Sequence, residues 1–200
     1  MENFFKIRAE KQTHILKASF MVFGKYGYRK ASVADIATEA GITKGMVLYY
    51  FGSKKVLYMY LIELCQTHLF QTAKERLGVG ATDFFERLKI VVDLQMEAIG
   101  KYPALLGFMN TAFCETDPEV KTDIERIFDT EFAGLDHMLL DGSDFSALKP
   151  GHDPRLICKF ILWANYGFLA YLFDTVSPDK AGETAGEYFQ CLDIMRDVLN

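Results

Sequence analysis

Residues 32–51 read SVADIATEAGITKGMVLYYF. Ser32 followed three residues later by Asp35 is a capping-box pattern with Asp in place of Glu or Gln, so a short helix opens there. Val33, Ile36, Ala37 and Ala40 recur at helical spacing and form its inward side. Gly41 supplies the tight turn, Ile42 packs inside it, and Thr43 caps a second helix that Val47 and Phe51, at i and i+4, anchor to a core. The small Ala37 and the turn glycine let the two helices cross at close range, as a helix-turn-helix needs. Lys44, Gly45, Met46, Leu48, Tyr49 and Tyr50 are then left at the start and on the outer side of the second helix. A cation, bare backbone, two phenols and two apolar groups suit phosphate anchoring and contact with thymine methyls. The pattern alone also fits an ordinary helical hairpin whose tyrosines simply pack.

Charge separates those two readings. The chain of 200 residues carries a net charge of -5, with 22 Lys and Arg against 27 Asp and Glu. Split after Lys55, the first piece holds ten basic and four acidic residues, hence +6, and the remainder is left with -11. A basic end on an acidic body is expected when one end meets a polyanion. Lys30, Lys44 and Lys54 all fall next to predicted helix N-termini, where backbone N–H groups also favour phosphate.

Outward from this segment the periodicity is helical almost everywhere, so the fold class is all-α. Ile15, Ala18, Val22, Phe23 and Tyr26 stripe a first helix that Gly27 ends, giving a three-helix N-terminal domain over 1–55. Ser53 caps a long helix through Val56, Leu57, Tyr60, Leu61 and Leu64 toward Leu77, which opens a helical domain over 56–200. No Pro/Gly/Ser-rich linker lies between Phe51 and Leu57, so the helix itself joins the two domains. Phe84, Leu88, Val91, Gln95 and Ile99 outline the next helix, and a short one follows Pro103. Asp117-Pro118, Asp153-Pro154 and Ser177-Pro178 predict three further starts, a cap followed by proline at the first helical position. Residues 141–152 are the one long loop.

Residues 11–57 resemble the DNA-binding domain of the tetracycline-repressor (TetR) family of bacterial regulators, most densely in ILKASFMVFGKYGYRKASVADIATEAGITKGMVLYYFGSKKVL. The family pattern is carried by Phe23 through Tyr28, by Ser32, Val33, Ile36 and Ala37, by Ala40 through Gly45, and by Tyr49, Tyr50, Phe51, Ser53 and Lys54. The resemblance implies nine helices, a homodimer on a pseudo-palindromic double-stranded operator, and DNA contacts from Thr43, Lys44, Gly45, Tyr49, Tyr50 and Lys54, with Ser32 at a phosphate. Met46 and Leu48 replace the hydroxyl-bearing residues frequent at their positions, so the operator sequence does not transfer from relatives.

It also implies a cavity for a small-molecule effector enclosed by the middle helices, and a dimer interface formed by the last two. Phe108, Met109, Phe113, Phe128, Phe132, Trp163, Tyr166 and Phe168 give the second domain an aromatic interior, with Gln95, Asn110 and Asn165 as its main polar groups. Leu64, His68, Gln95, Phe108, Asn110, Phe128, Trp163 and Tyr166 are the candidate lining, suited to a largely apolar or aromatic effector oriented by one or two amides. Ala164, Gly167 and Ala170 make a small-residue side of the penultimate helix, flanked by Leu156, Phe160, Trp163 and Tyr171. Tyr188, Leu192, Met195 and Leu199 stripe the last helix, and two such helices from each copy would make a four-helix bundle.

The competing classes are an α-helical enzyme or carrier, and a DNA-binding activator or nucleoid protein. No Ser/His/Asp or Cys/His arrangement, H-E-x-x-H, P-loop or Gly-rich dinucleotide turn is present, so an enzyme is not expected. Cys65, Cys114, Cys158 and Cys191 lie far apart and pair with no zinc-type histidine spacing; they read as buried thiols of a reducing cytoplasm, with no cofactor or metal. The most apolar run, Phe160–Phe173, is interrupted by Asn165 and Gly167 and falls short of the roughly 20 residues that span a bilayer, so no membrane partner is expected.

Overall fold

The computed structural model describes residues 1–78, 80, 82–101, 103–176 and 180–200, so the Ser177-Pro178 start lies outside the described residues. Ten α-helices occur among them: α1 Glu2–Phe5, α2 Ala9–Lys30, α3 Val33–Glu39, α4 Lys44–Phe51, α5 Lys54–Leu77, α6 Phe84–Lys101, α7 Pro103–Phe113, α8 Lys121–Asp141, α9 Pro154–Thr175 and α10 Ala181–Leu199. No helix among them is long and apolar enough to cross a membrane. One more helix is present than expected, because α1 forms at the N-terminus and buries Phe4 completely. Asp153 caps α9 through the Arg155 N–H at 2.9 Å with Pro154 in its first turn. At Asp117-Pro118 the cap forms a turn instead, and α8 starts at Lys121. Of the four cysteines, Cys158 alone is fully buried; Cys114 and Cys191 are exposed.

Packing divides the chain at other points than after Lys55. One compact unit combines Met1–Gln66 with Tyr102–Phe128, and the other combines Thr67–Lys101 with Asp129–Asn200. α5 contributes its first half to the first unit and its second half to the other. The core of the first unit gathers Phe4, Ile15, Phe23, Ile36, Val47, Phe51, Leu57, Tyr58, Leu61 and Phe108. Four of the five residues expected to stripe α2 are in it, and Tyr26 is exposed.

α7 joins this unit by lying directly on α2. A Cβ on Gly24 would stand 2.9 Å from the Phe108 backbone nitrogen, so only glycine permits the crossing. Next to it, the Phe108 ring meets Phe20 and Tyr58 edge-on, with centroids at 5.2 and 5.3 Å. The Thr111 hydroxyl donates to the Phe23 carbonyl at 3.3 Å. The core of the second unit is built from α6, α9 and α10 with the ends of α5 and α8: Leu77, Phe84, Phe85, Leu88, Val91, Leu94, Leu139, Ile161, Leu162 and Leu192 are buried in it.

Gly24 and Gly186 therefore respond oppositely to a methyl group. Gly24→Ala forces backbone against backbone and is expected to destabilise by about 1–3 kcal/mol. Gly186→Ala, a helical position with nothing within 4 Å of the added carbon, should stabilise by up to about 1 kcal/mol. Urea unfolding of the two variants beside the parent measures both signs.

Candidate nucleic-acid interface

The turn between α3 and α4 is fixed by local chemistry at each step. At its start the Asp35 N–H donates to Ser32 Oγ at 3.1 Å and the Ser32 N–H returns a bond to Asp35 Oδ2 at 3.2 Å, which completes the capping box. At its end Gly41, with φ of +60°, lets its N–H reach the Thr38 carbonyl and the Ile42 N–H reach the Ala37 carbonyl. That pair of bonds is a Schellman motif, and the left-handed glycine makes it possible. Thr43 Oγ1 then accepts from the Met46 N–H at 3.3 Å and opens α4.

In α4 the core takes Val47, Tyr50 and Phe51, while Lys44, Gly45, Leu48 and Tyr49 stay exposed. These two sets, at 47, 50, 51 and 44, 45, 48, 49, are the opposite arcs of a helix of 3.6 residues per turn. Tyr49 is 66% exposed. Tyr50 departs from expectation: it is 5% exposed, because the Phe4 ring of α1 packs edge-on to it at 6.2 Å. Met46 is half-buried against the same core.

Lys54 also has a different place. Gly27, at φ 67° and ψ 175°, breaks α2 three residues before its end. The carbonyls beyond that break have no continuing helix to accept from, and Lys54 supplies the donors: its Nζ bonds the Tyr28 carbonyl at 2.8 Å and the Ala31 carbonyl at 3.2 Å, and lies 4.1 Å from the Tyr28 ring centre. A cation at a helix C-terminus is favourable on charge grounds as well. Lys54 is thus a clamp between α2 and α5, with two of its three donors engaged away from any phosphate. Glu115 grips the other side of the break, accepting from the Tyr28 N–H at 2.9 Å. Burial, then the carboxylate of Glu119, raises the Tyr28 phenol above its ordinary range. Lys55 is paired with Asp123 at 2.8 Å, which holds that carboxyl below its usual value. Lys30 and Lys44 make no ion pair among the described residues, and Lys44 carries a charge on the exposed arc.

The residues expected to line an effector cavity divide between the two compact units. Leu64, Phe108, Asn110 and Phe128 belong to the first; His68, Gln95, Trp163 and Tyr166 belong to the second. Phe108 is fully buried in the α2–α7 crossing, so it is core rather than lining. Phe113 is half exposed and meets Phe128 edge-on at 5.7 Å. Trp163, expected inside, is 62% exposed on α9 with the Lys159 ammonium 5.1 Å from its ring. His68 is exposed, and the Phe132 side chain lies outside the described residues. Gln95 and Asn165 are brought together, with Asn165 Nδ2 3.5 Å from Gln95 Oε1.

On α9, Leu156, Phe160, Trp163, Ala164, Gly167 and Tyr171 are all exposed. On α10 the apolar residues form two stripes. Tyr188, Leu192 and Met195, expected at the interface, face their own chain: Leu192 is buried, Tyr188 stacks on Phe168 at 4.3 Å, and Met195 packs on the same core. Ion pairs of Arg196 with Glu86 and of Lys89 with Asp193 hold that side of α10 to α6. The outward stripe is Cys191, Ile194 and Val198. A search for the longest apolar repeat selects the inward stripe, whereas the spacing of Ile194 and Val198 was the available signal for the outward one.

Residues 15–61 match the model of the tetR family of bacterial regulatory proteins. Over most of its length the chain is similar to the HTH-type transcriptional regulator YfiR of Bacillus subtilis (strain 168), at 24% identity covering 86% of each chain. To the fatty acid metabolism regulator protein of the same organism it is 24% identical over 78% of this chain and 80% of that one. The fold is also that of a solved Bacillus subtilis transcriptional regulator FadR in complex with stearoyl-CoA, with a TM-score of 0.73, 20% identity, and coverage of 90% of this chain and 96% of that one. The helix-turn-helix at residues 32–51 lies inside the matched segment, so residues 15–61 form a DNA-binding segment of the tetR type, and the all-helical remainder shares the fold of the solved regulator.

Proposed function

We propose that this chain is a ligand-responsive repressor, which binds a pseudo-palindromic operator as a homodimer and is released by a small, largely apolar or aromatic effector. The observation that carries DNA reading is the exposed arc of α4: Lys44, Gly45, Leu48 and Tyr49 face solvent from a helix whose other side is locked in the core. Lys44 and Tyr49 would anchor phosphates, and Leu48 would meet thymine methyls. Ser32 and Thr43 are engaged as caps, and their remaining hydrogen-bonding capacity is available to a phosphate.

Dimerisation is supported by the exposed apolar residues of α9 and α10: Leu156, Phe160, Trp163, Tyr171, Ile194 and Val198 are each more than half exposed. Monomers seldom leave so many large apolar groups on two helices uncovered. A two-fold axis between two copies would set the recognition helices about 34–36 Å apart, or a multiple of it. An apolar effector is supported by the aromatic content of the second half and by the relatives, one a fatty acid metabolism regulator and one a regulator solved with stearoyl-CoA. The effector must bind the DNA-free form more tightly, and DNA must weaken the effector by the same factor.

In a gel-shift titration against selected operator DNA, Lys44→Ala is expected to weaken binding by about 1.5–3 kcal/mol, the range for a hydrogen bond to a charged group. Tyr49→Phe should weaken it by less, and both should keep the parent's stability within about 0.5 kcal/mol. Val47→Ala, which removes buried methyls, and Lys54→Met, which removes the clamp on α2, should each cost about 1 kcal/mol or more of stability. Equal stability losses in all four variants would count against the reading. Gly167→Arg, placed where a second copy would approach closely, should sediment as a monomer and lose specific DNA binding.

A further inference from the structure

We propose that the carboxamide of Asn165, held beside that of Gln95, is the polar recognition element for the effector, and that the effector offers it a neutral hydrogen-bond donor, a hydroxyl or an N–H, on an apolar body. This rests on the effector-binding reading above and names the chemistry of that ligand.

Asn165 lies on α9 with none of its surface exposed. Ile161 and Leu162, one helical turn earlier, belong to a core that also holds Leu88, Val91, Leu94, Leu139 and Leu192. The amide makes one bond, from Nδ2 to Gln95 Oε1, and at 3.5 Å that bond is at the outer limit of hydrogen-bonding distance. Its Oδ1 has no partner among the described residues. A buried amide oxygen left unmatched is unfavourable, and a leucine of the same shape would fill the position without that cost. Asn165 is therefore poorly suited to holding the fold and well suited to accepting a donor that arrives from outside. One turn further along α9, Phe168 stacks on Tyr188, whose buried hydroxyl also lacks a partner. Two buried oxygens of this unit, on Asn165 and Tyr188, thus lack a hydrogen-bond partner among the described residues.

Among the described side chains of this unit the cations are either engaged or exposed, which disfavours an anionic head group buried at Asn165. Arg87 donates to the carbonyls of Leu77 and Met138. Arg76 is paired with Glu97, Lys89 with Asp193, and Arg196 with Glu86. Lys149 bonds the Val198 carbonyl, and Lys74, Arg155, Lys159 and Lys180 are exposed. A carboxylate or phosphate buried at Asn165 would find no cation among the described residues, and neither can donate to Oδ1. An alcohol, phenol or amide N–H can.

Two measurements test this. In thermal unfolding without ligand, Asn165→Leu is expected to raise Tm by about 2–4 °C, the shift that removing one unmatched polar atom gives a chain of this size. A lowered Tm, or a variant that fails to fold, would mean that Asn165 is structural and would overturn the proposal. In calorimetric titrations, 4-hexylphenol should bind the parent at least about tenfold tighter than its methyl ether, which cannot donate, with 4-hexylbenzoate weaker still. Asn165→Leu should bind the phenol and the ether alike. If the parent binds phenol and ether equally, or prefers the benzoate, the donor assignment fails while effector binding stands. If it binds none of the three, the apolar-effector reading fails with it.

Discussion

The exposed face of α4, proposed to read DNA, has a fixed direction because its opposite face is pinned. Val47, Tyr50 and Phe51 are each at most 5% exposed, and burying side chains of this size contributes about 1.5–3 kcal/mol apiece. Against them lie Ile36 and Ala37 of α3 and the Phe4 ring, which touches both Tyr50 and Phe51. A helix of eight residues is not stable alone. Its direction, and hence the direction of Lys44 and Tyr49, is set by that contact and by the Schellman turn at Gly41.

Everything else in the first unit serves to hold this platform. α2 carries the core stripe, but Gly27 breaks it before its end, and the exposed carbonyls are gathered by Lys54 from α5 while the Tyr28 N–H is taken by Glu115 from the segment after α7. The α7 helix lies so close to α2 that Gly24 admits no side chain. The helix-turn-helix and α7 accordingly belong to one packed body, although α7 is separated from it in sequence by two long helices. Within this unit α7 and the first turn of α5 contact α2 directly, through Gly24 and Lys54. For a regulator that answers to an effector, this is the physical route that the proposed control would use.

What the sequence made legible was what depends on neighbours within a few residues. Ser32 with Asp35, Gly41, Thr43, Ser53 and Asp153 with Pro154 each act on backbone groups two to four positions away, and each is found doing so. The residues misplaced were those whose partner is distant. Tyr50 points inward because of Phe4, a residue in a helix that no periodicity announced. Lys54 has the composition and position of a phosphate contact, but the break at Gly27 creates carbonyls that claim it first. Leu192 and Trp163 exchange the roles expected of them because α6 covers one stripe of α10 and none of the described residues covers the exposed side chains of α9. Helical spacing names faces; it does not say which face a partner element takes.

We propose above all that the exposed arc of α4 reads duplex DNA as one half of a symmetric pair. Selection of duplex fragments from a random pool by the full-length protein, with affinity then measured across a salt series, tests it most directly. Enrichment of two inverted half-sites with centres about 34–36 Å apart or a multiple of that spacing is expected, with an affinity that falls steeply as salt rises. An unenriched pool, or binding that does not respond to salt, would contradict it.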